Sequence, residues 1–287
     1  MASSVGFIGL GVMGSPMARR LYEDGYKVSV FNRSSEKLNN WISHHKKATK
    51  AKSVTEIAEK SNVIILCIGN DDDVRNTING MLNALIPGTV VIDHTTTSAE
   101  LAKEMNTILA EKGCFFLDAP ISGGQVGAEL GKLSVMVGGD EKIYLSTKDI
   151  FKPYSKFVKY MGPSGHGQLT KMVNQICIAG LIQALAEGIY FSKKAGLEIS
   201  EVVEAISKGA AQSWHMDNRW ESMKQGRYDH GFAVDLMRKD LNIVLDQAKL
   251  MGIDLAITDL VDSFYEEIQK MDGGSWDTSS LLKRLES

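Results

Sequence analysis

Val5-Gly6-Phe7-Ile8-Gly9-Leu10-Gly11-Val12-Met13-Gly14 decides the fold class. Residues 5–8 read as a short apolar strand. In residues 15–23, Met17, Ala18 and Leu21 recur at helical spacing. A GxGxxG turn between a strand and a helix is the mark of a dinucleotide-binding βαβ unit. Gly9 makes the tight turn, Gly11 lets a pyrophosphate approach the backbone, and Gly14 lets the helix pack on the strand. Leu10, Val12 and Met13 complete the loop, and the helix start presents free N–H groups to phosphate. The competing reading, a glycine turn of structural use only, has less need of this strand-and-helix context.

The next strand, 27–31, ends in Asn32-Arg33-Ser34. A fold that prefers NAD usually places Asp or Glu there, to accept from the ribose 2′-hydroxyl. An amide and a guanidinium suit a 2′-phosphate instead, so NADP is the expected cofactor and NAD the alternative. Arg33 stacking on adenine without selecting either is the other reading. A short helix over 53–59 precedes a continuous apolar strand, 63–68, as expected inside a parallel sheet. Cys67 and Ile68 at its end are counted among the cofactor contacts. Asp71-Asp72-Asp73 is read as the charged start of a helix over 74–85, where negative charge suits the dipole. No metal site is expected. A strand over 89–93 leads into the hydroxyl-rich Thr95-Thr96-Thr97-Ser98, a helix over 99–112 and a strand over 115–118.

Two further stretches carry chemistry. In Asp118-Ala119-Pro120-Ile121-Ser122-Gly123-Gly124, a hydroxyl followed by two flexible amides suits a small carboxylate. A tight turn before a helix explains the glycines but has less use for Ser122. Strands over 133–139 and 157–161 follow. Then Gly162-Pro163-Ser164-Gly165-His166-Gly167 breaks the chain before a long apolar helix, about 168–194. Lys171 sits in its first turns, with Asn174 at i+3 and Gln175 at i+4 on the same side. Either this lysine snorkels out of a helix start, or it is a functional ammonium flanked by two amides. Beyond Gly196, helical periodicity recurs over 200–207, 217–225, 235–250 and 254–271, and Asp277 is the expected N-cap of a final short helix.

The expected architecture is α/β: an N-terminal Rossmann-type doubly wound parallel sheet, 1–163, and an all-α domain, 164–287, joined by the long helix. A length of 287 residues allows two cores. With 44% hydrophobic and 23% charged residues and a net charge of −3, nothing marks a nucleic-acid or membrane-surface protein. Cys67, Cys114 and Cys177 are expected as small buried hydrophobes in a reducing compartment. The apolar run 176–191 is interrupted by Gln183 and Glu187, so it is not read as a membrane span. No basic, cleavable leader is recognisable at the start, and a cytoplasmic protein is expected. Trp214 and His215 are read as site-lining or as helix packing, with packing the better account of the tryptophan.

Taken in order, the motifs resemble the β-hydroxyacid dehydrogenases, the group of 3-hydroxyisobutyrate dehydrogenase, tartronate semialdehyde reductase and glyoxylate/succinic semialdehyde reductase. They are Gly9-x-Gly11-x-Met13-Gly14 with Pro16-Met17-Ala18, Asp118 to Gly124, Gly162-x-x-Gly165-x-Gly167-x-x-x-Lys171-x-x-Asn174-Gln175, and Phe232 with Lys239-Asp240-Leu241. The resemblance implies Lys171 as catalytic acid/base and Ser122, Gly123 and Gly124 as holders of the substrate carboxylate. It implies Asn174 and Gln175 beside the substrate, Thr96 and Lys239 at the cofactor, and Phe232 and Asp240 shaping the closed site. It further implies a homodimer or homotetramer in which the long helix forms much of the interface. Such a lysine, buried among cations, would have a pKa lowered into useful range.

Departures define the branch. Related 6-phosphogluconate dehydrogenases carry a carboxylate seven residues beyond the lysine, where this chain has Ile178; related imine reductases often lack the lysine. The expected activity is NADP-dependent interconversion of a small β-hydroxyacid and its semialdehyde, or reduction of a glyoxylate-like aldehyde acid. The alternatives are an NAD-linked 3-hydroxyisobutyrate or serine dehydrogenase and, from another class, a non-catalytic cofactor-binding scaffold.

Overall fold

A computed structural model describes residues 4–287. It divides into two compact units, Met1–Lys171 and Met172–Ser287, so the division falls within a helix and not at the Gly162-Pro163 turn. The reason is local: the first turn of that helix is hydrogen-bonded to the sheet through Asp118.

In the first unit the elements are β1 (Ser4–Ile8), α1 (Gly14–Glu23), β2 (Lys27–Phe31), α2 (Ser35–His44), β3 (Thr49–Lys50), α3 (Val54–Lys60) and β4 (Val63–Leu66). Next come α4 (Asp71–Met81), β5 (Val90–Asp93), α5 (Ala99–Ala110), β6 (Phe115–Asp118), β7 (Ile121–Ser122) and α6 (Gly124–Leu130). The unit closes with β8 (Leu133–Gly139), α7 (Glu141–Thr147), β9 (Ser155–Gly162) and the start of α8 (His166–Lys194). The sheet order is β3-β2-β1-β4-β5-β6-β8-β7, with β9 beside β8. Strands β1 to β6 pair in parallel, whereas β8 is antiparallel to β6 and β7, so the sheet is mixed at that side.

Side-chain alternation explains how one sheet feeds two cores. Ile65, Ile92 and Leu117 pack on one face with Phe7, Met17 and Leu21. Their neighbours Ile64, Leu66, Val91 and Phe116 pack on the other with Ile57, Ile78 and Met105. The parallel order β3-β2-β1-β4-β5-β6 reverses direction between β1 and β4, the position where doubly wound sheets open a ligand crevice beyond the strands' carboxyl ends.

In the second unit the rest of α8 is joined by α9 (Ile199–Ile206), α10 (Trp214–Lys224), α11 (Val234–Met251), α12 (Ala256–Lys270) and α13 (Leu281–Glu286). Ala179, Ile182, Ala186 and Ile189 lay one side of α8 into a core with Met237, Leu241, Tyr265 and Leu282. Although α8 is long and apolar enough to cross a membrane, that side is thus taken up in a protein core. Asp277 caps a short 3₁₀ turn through the Ser279 N–H at 3.0 Å, in line with its expected role.

Several sequence expectations shift. α4 begins at Asp71, with the Asn70 side chain accepting from the Asp73 N–H at 2.9 Å, so all three aspartates lie in its first turn. α2 and α7 had no sequence counterpart: α2 fully buries only Leu38 and Trp41, and α7 covers the core only with the half-buried Ile143 and Tyr144. Of the cysteines, Cys114 is buried, Cys67 is intermediate and Cys177 is exposed, since position 177 falls on an outward side of α8. Trp214 is 52% exposed and stacks beneath the Arg219 guanidinium instead of packing into the core.

Candidate active site

The dinucleotide cradle is built at the ends of β1, β2, β4 and β5. At Gly9 (φ +101°) an added Cβ would lie 2.2 Å from the Cys67 carbonyl oxygen, and at Gly14 2.0 Å from that of Gly9. These two glycines close the turn and seat α1. An added Cβ on Gly11 would meet nothing, so that position faces open space. The first turn of α1 carries no acidic residue and no side-chain cap, leaving its N–H groups and dipole for an anion. The geometry therefore fits a pyrophosphate.

The groups around this loop divide their labour. Asn32 Oδ1 accepts from the Leu10 N–H at 2.8 Å and its Nδ2 donates to the Ser34 carbonyl at 3.1 Å. Asn32 thus braces the loop; it is not the outward-facing selector. Arg33 faces outward, its side chain 89% exposed and 3.2 Å from Asp73. Ser34 caps α2 through the Lys37 N–H. The Ile68 N–H donates to Thr95 Oγ1 at 3.1 Å, which ties the end of β4 to the loop after β5. Thr96 is half-buried in that loop, between Thr95, whose carbonyl accepts from Gln168 Nε2 at 2.7 Å, and Thr97, whose N–H donates to Gln168 Oε1 at 3.1 Å.

Lys171 stands next to the second sequence motif. It is 7% exposed, and its Nζ donates to the Ile121 carbonyl at 2.9 Å, one residue from Ser122. Gly123 and Gly124 have φ of +131° and +62°, and an added Cβ on Gly124 would meet nothing. Lysine, hydroxyl and two positive-φ glycines, of which Gly124 faces open space and Gly123 packs on Leu133, therefore meet in one place, enough to hold a small anion and to move a proton.

In the second unit four of the remaining predicted residues, Asn174, Gln175, Asp240 and Lys239, form a relay, and Phe232 stands outside it. Asn174 Nδ2 donates to Gln175 Oε1, and Gln175 Nε2 donates to Asp240 Oδ2, both at 2.7 Å. Lys239 Nζ is 3.1 Å from Asp240 Oδ1, an ion pair not aligned as a hydrogen bond. Gln175 is 1% exposed, so it acts here as a buried bridge and does not present itself to a ligand. Phe232 is partly buried against the helical core, and its N–H donates to Asp277 Oδ2 at 2.8 Å.

Sequence reasoning missed three groups in the first unit. Asp118 and Gln168 are wholly buried partners of the α8 start. His94 Nδ1 is 2.5 Å from the Ala119 carbonyl, which fixes the proton there, so Nε2 accepts from the Tyr154 hydroxyl at 3.1 Å. Burial pushes the His94 pKa down to about 4. A charged residue closing an apolar strand hinted at Asp118, but its partners are far away in sequence.

Known proteins give the same picture. Residues 4–162 match the NAD binding domain of 6-phosphogluconate dehydrogenase, and residues 165–285 the NAD-binding domain of NADP-dependent 3-hydroxyisobutyrate dehydrogenase. The chain is 50% identical to an uncharacterized oxidoreductase of Shewanella frigidimarina, across 99% of this chain and 98% of that one. It is 32% identical to the 2-hydroxy-3-oxopropionate reductase of Escherichia coli, across 98% and 97% of the two. A 3-hydroxyisobutyrate dehydrogenase of Mycobacterium tuberculosis, solved with L-serine, superposes with a TM-score of 0.92 at 26% identity over 100% of both chains. Fold and site together define an NAD(P)-dependent oxidoreductase. More particularly, the chain belongs to the β-hydroxyacid dehydrogenase family.

Proposed function

We propose that this protein reduces a small carboxylate-bearing aldehyde to the β-hydroxyacid, and runs the reverse reaction, with NADP as the preferred cofactor. The carrying observation is the buried Lys171 ammonium on the Ile121 carbonyl, beside Ser122 and the positive-φ pair Gly123-Gly124. In this reading Ser122 Oγ and the Gly123 and Gly124 backbone hold the substrate carboxylate. That places the aldehyde oxygen near Lys171, which donates a proton to the alkoxide as it forms. Bound nicotinamide would supply the hydride to the aldehyde carbon. Asn174 orients the substrate, held in turn by Gln175.

Preference for NADP is supported by Arg33, a cation at the end of β2 where a carboxylate would repel a 2′-phosphate. Thr96 and Lys239 are assigned to the cofactor. Apolar residues that α8 leaves exposed, Leu181 and Phe191, support a homo-oligomer in solution. Serine oxidation is the second reading, prompted by the serine in the Mycobacterium tuberculosis structure.

The test is initial-rate kinetics with glyoxylate and with succinic, methylmalonate and tartronate semialdehydes, each with NADPH and NADH, and serine with NADP and NAD. One good aldehyde acid with NADPH preferred is the expected result, and Lys171→Met should remove turnover while NADPH still binds. Arg33→Ala should erase the NADPH preference with little change in stability, since a surface ion pair contributes only ~0–1 kcal/mol. Turnover that survives in Lys171→Met would show that another group supplies the proton.

A further inference from the structure

We infer that Asp118 is a positioning residue for Lys171, holding the first turn of the helix that carries the lysine; this rests on reading Lys171 as the proton donor. The Asp118 carboxylate is 0% exposed. Its Oδ1 accepts from the Gly165 N–H at 2.9 Å and its Oδ2 from the Gln168 N–H at 3.0 Å, and the Gly167 N–H points at it too. These are the N–H groups that a helix start leaves without partners. Such close approach needs a bare backbone: an added Cβ on Gly167 would lie 2.5 Å from the Asp118 carbonyl oxygen and 2.6 Å from that of Met136.

The chain that leaves Asp118 grips the other end of the same lysine. The Ala119 N–H donates to the Asp93 carbonyl at 2.7 Å, and the Ala119 carbonyl faces His94. Ile121 pairs with Val135 in the sheet, and its carbonyl accepts from Lys171 Nζ at 2.9 Å. One short segment, 118–121, therefore fixes both where α8 starts and where the ammonium ends. A shift of the helix start would be carried along a rigid helix to the lysine, and displacement of a reacting group by ~1 Å can cost ~10²-fold in rate.

An anchor made of a carboxylate titrates. Burial pushes the Asp118 pKa up to about 6, against the backbone N–H bonds that pull it down. Facing it from β5 is Asp93, its partner in register, also buried and raised to about 7. From β8 come Gly138 and Gly139, and from α8 the glycines, Gln168 and, a turn on, Lys171. Below about pH 6 the Asp118 carboxylate loses its charge and one oxygen becomes a hydroxyl, a weaker acceptor with a proton to place among N–H donors. A lysine that donates its proton lowers the rate of reduction only at high pH, so an acid-side loss has a separate origin.

The experiment is the pH profile of kcat for reduction by NADPH, in the wild type, Asp118→Asn, Asp118→Glu and Asp93→Asn. In the wild type kcat should fall as pH drops through about 6. Asp118→Asn should lower kcat by about 10²-fold, abolish that acid limb and leave NADPH affinity unchanged. Asp118→Glu should keep the limb. An Asp118→Asn profile with wild-type kcat, or a limb that persists there and vanishes in Asp93→Asn, would overturn the inference. If Asp118→Asn does not fold, Asp118→Glu decides: a retained limb with reduced kcat supports it, and wild-type kcat opposes it. Failure of both variants to fold would also overturn it, by making Asp118 a requirement of folding. Lys171→Met, assayed alongside, separates the two ideas: if it retains turnover, the proton-donor reading fails whatever Asp118 does.

Discussion

The phosphate loop separates two effects of adding one methyl group, and the structure says which glycine gives which. Gly14→Ala places a Cβ 2.0 Å from the Gly9 carbonyl oxygen and 3.1 Å from the Phe7 ring. Phe7 is wholly buried, so neither neighbour can yield cheaply. Overpacking of this kind costs about 1–3 kcal/mol, and each kcal/mol lowers Tm by about 2–4 °C for a unit of this size. A fall of several degrees is therefore expected. Gly11→Ala meets nothing within 4 Å and Gly11 does not have positive φ. Its methyl restricts only the unfolded chain, a gain of about 0.4–1 kcal/mol, so Tm should hold or rise slightly. That same methyl occupies the space assigned to the pyrophosphate. Loss of charge-assisted hydrogen bonds worth about 1.5–3 kcal/mol each should weaken NADPH binding by about 10–100-fold. Thermal unfolding without cofactor and a fluorescence titration with NADPH read the two effects separately. A Gly11→Ala protein destabilised like Gly14→Ala, or one that binds NADPH with wild-type affinity, would refute this account of the loop.

Gln175→Leu should destabilise the second unit by about 1–3 kcal/mol, because it leaves the buried Asp240 carboxylate without its amide donor. Calorimetry reads that loss, and kcat should fall with it as Asn174 loses its brace; unchanged stability would mean that the relay contributes nothing. His94 gives a pH signature. Its folded pKa, about 4, lies below the unfolded value, so only the unfolded chain gains a proton as pH falls. The stability that neutral His94 contributes is present above about pH 6.5 and is lost progressively down to about 4. The stability gap between wild type and His94→Asn, measured by urea denaturation, should narrow by about 3 kcal/mol across that window; a gap independent of pH would exclude a buried neutral histidine.

What could be read in the chain without its fold was whatever repeats within a short window. β1, β4 and β5 announce themselves because both faces are buried and the runs are continuously apolar. The GxGxxG turn is legible because its three constraints lie within six residues. α2 and α7 were not: α2 has a single short stripe of Leu38, Trp41 and Ile42, and α7 only the half-buried Ile143 and Tyr144, too little to stand out in a polar stretch. The site divides the same way. Lys171, Ser122 and the glycines belong to local motifs, whereas the contacts that fix them span long stretches of chain. Asp118 reaches α8 across 47 and 50 residues, Gln168 reaches the Thr95–Thr97 backbone across 73 and 71, and Gln175 reaches Asp240 across 65. A side-chain type signals what a residue can donate or accept but not which backbone groups it will meet. Asn32 illustrates the consequence: an amide at the expected cofactor position has its oxygen committed to the Leu10 N–H of the glycine loop and its nitrogen to the Ser34 carbonyl, and the outward charge falls to Arg33 beside it. The glycines of Gly162-x-x-Gly165-x-Gly167 make the converse case. Read alone they mark a flexible turn, yet Gly167 lies where a backbone must pass a buried carboxylate closely enough for its N–H to reach it. The small residue and the acidic one are two sides of one contact, and the lysine that follows inherits its position from it.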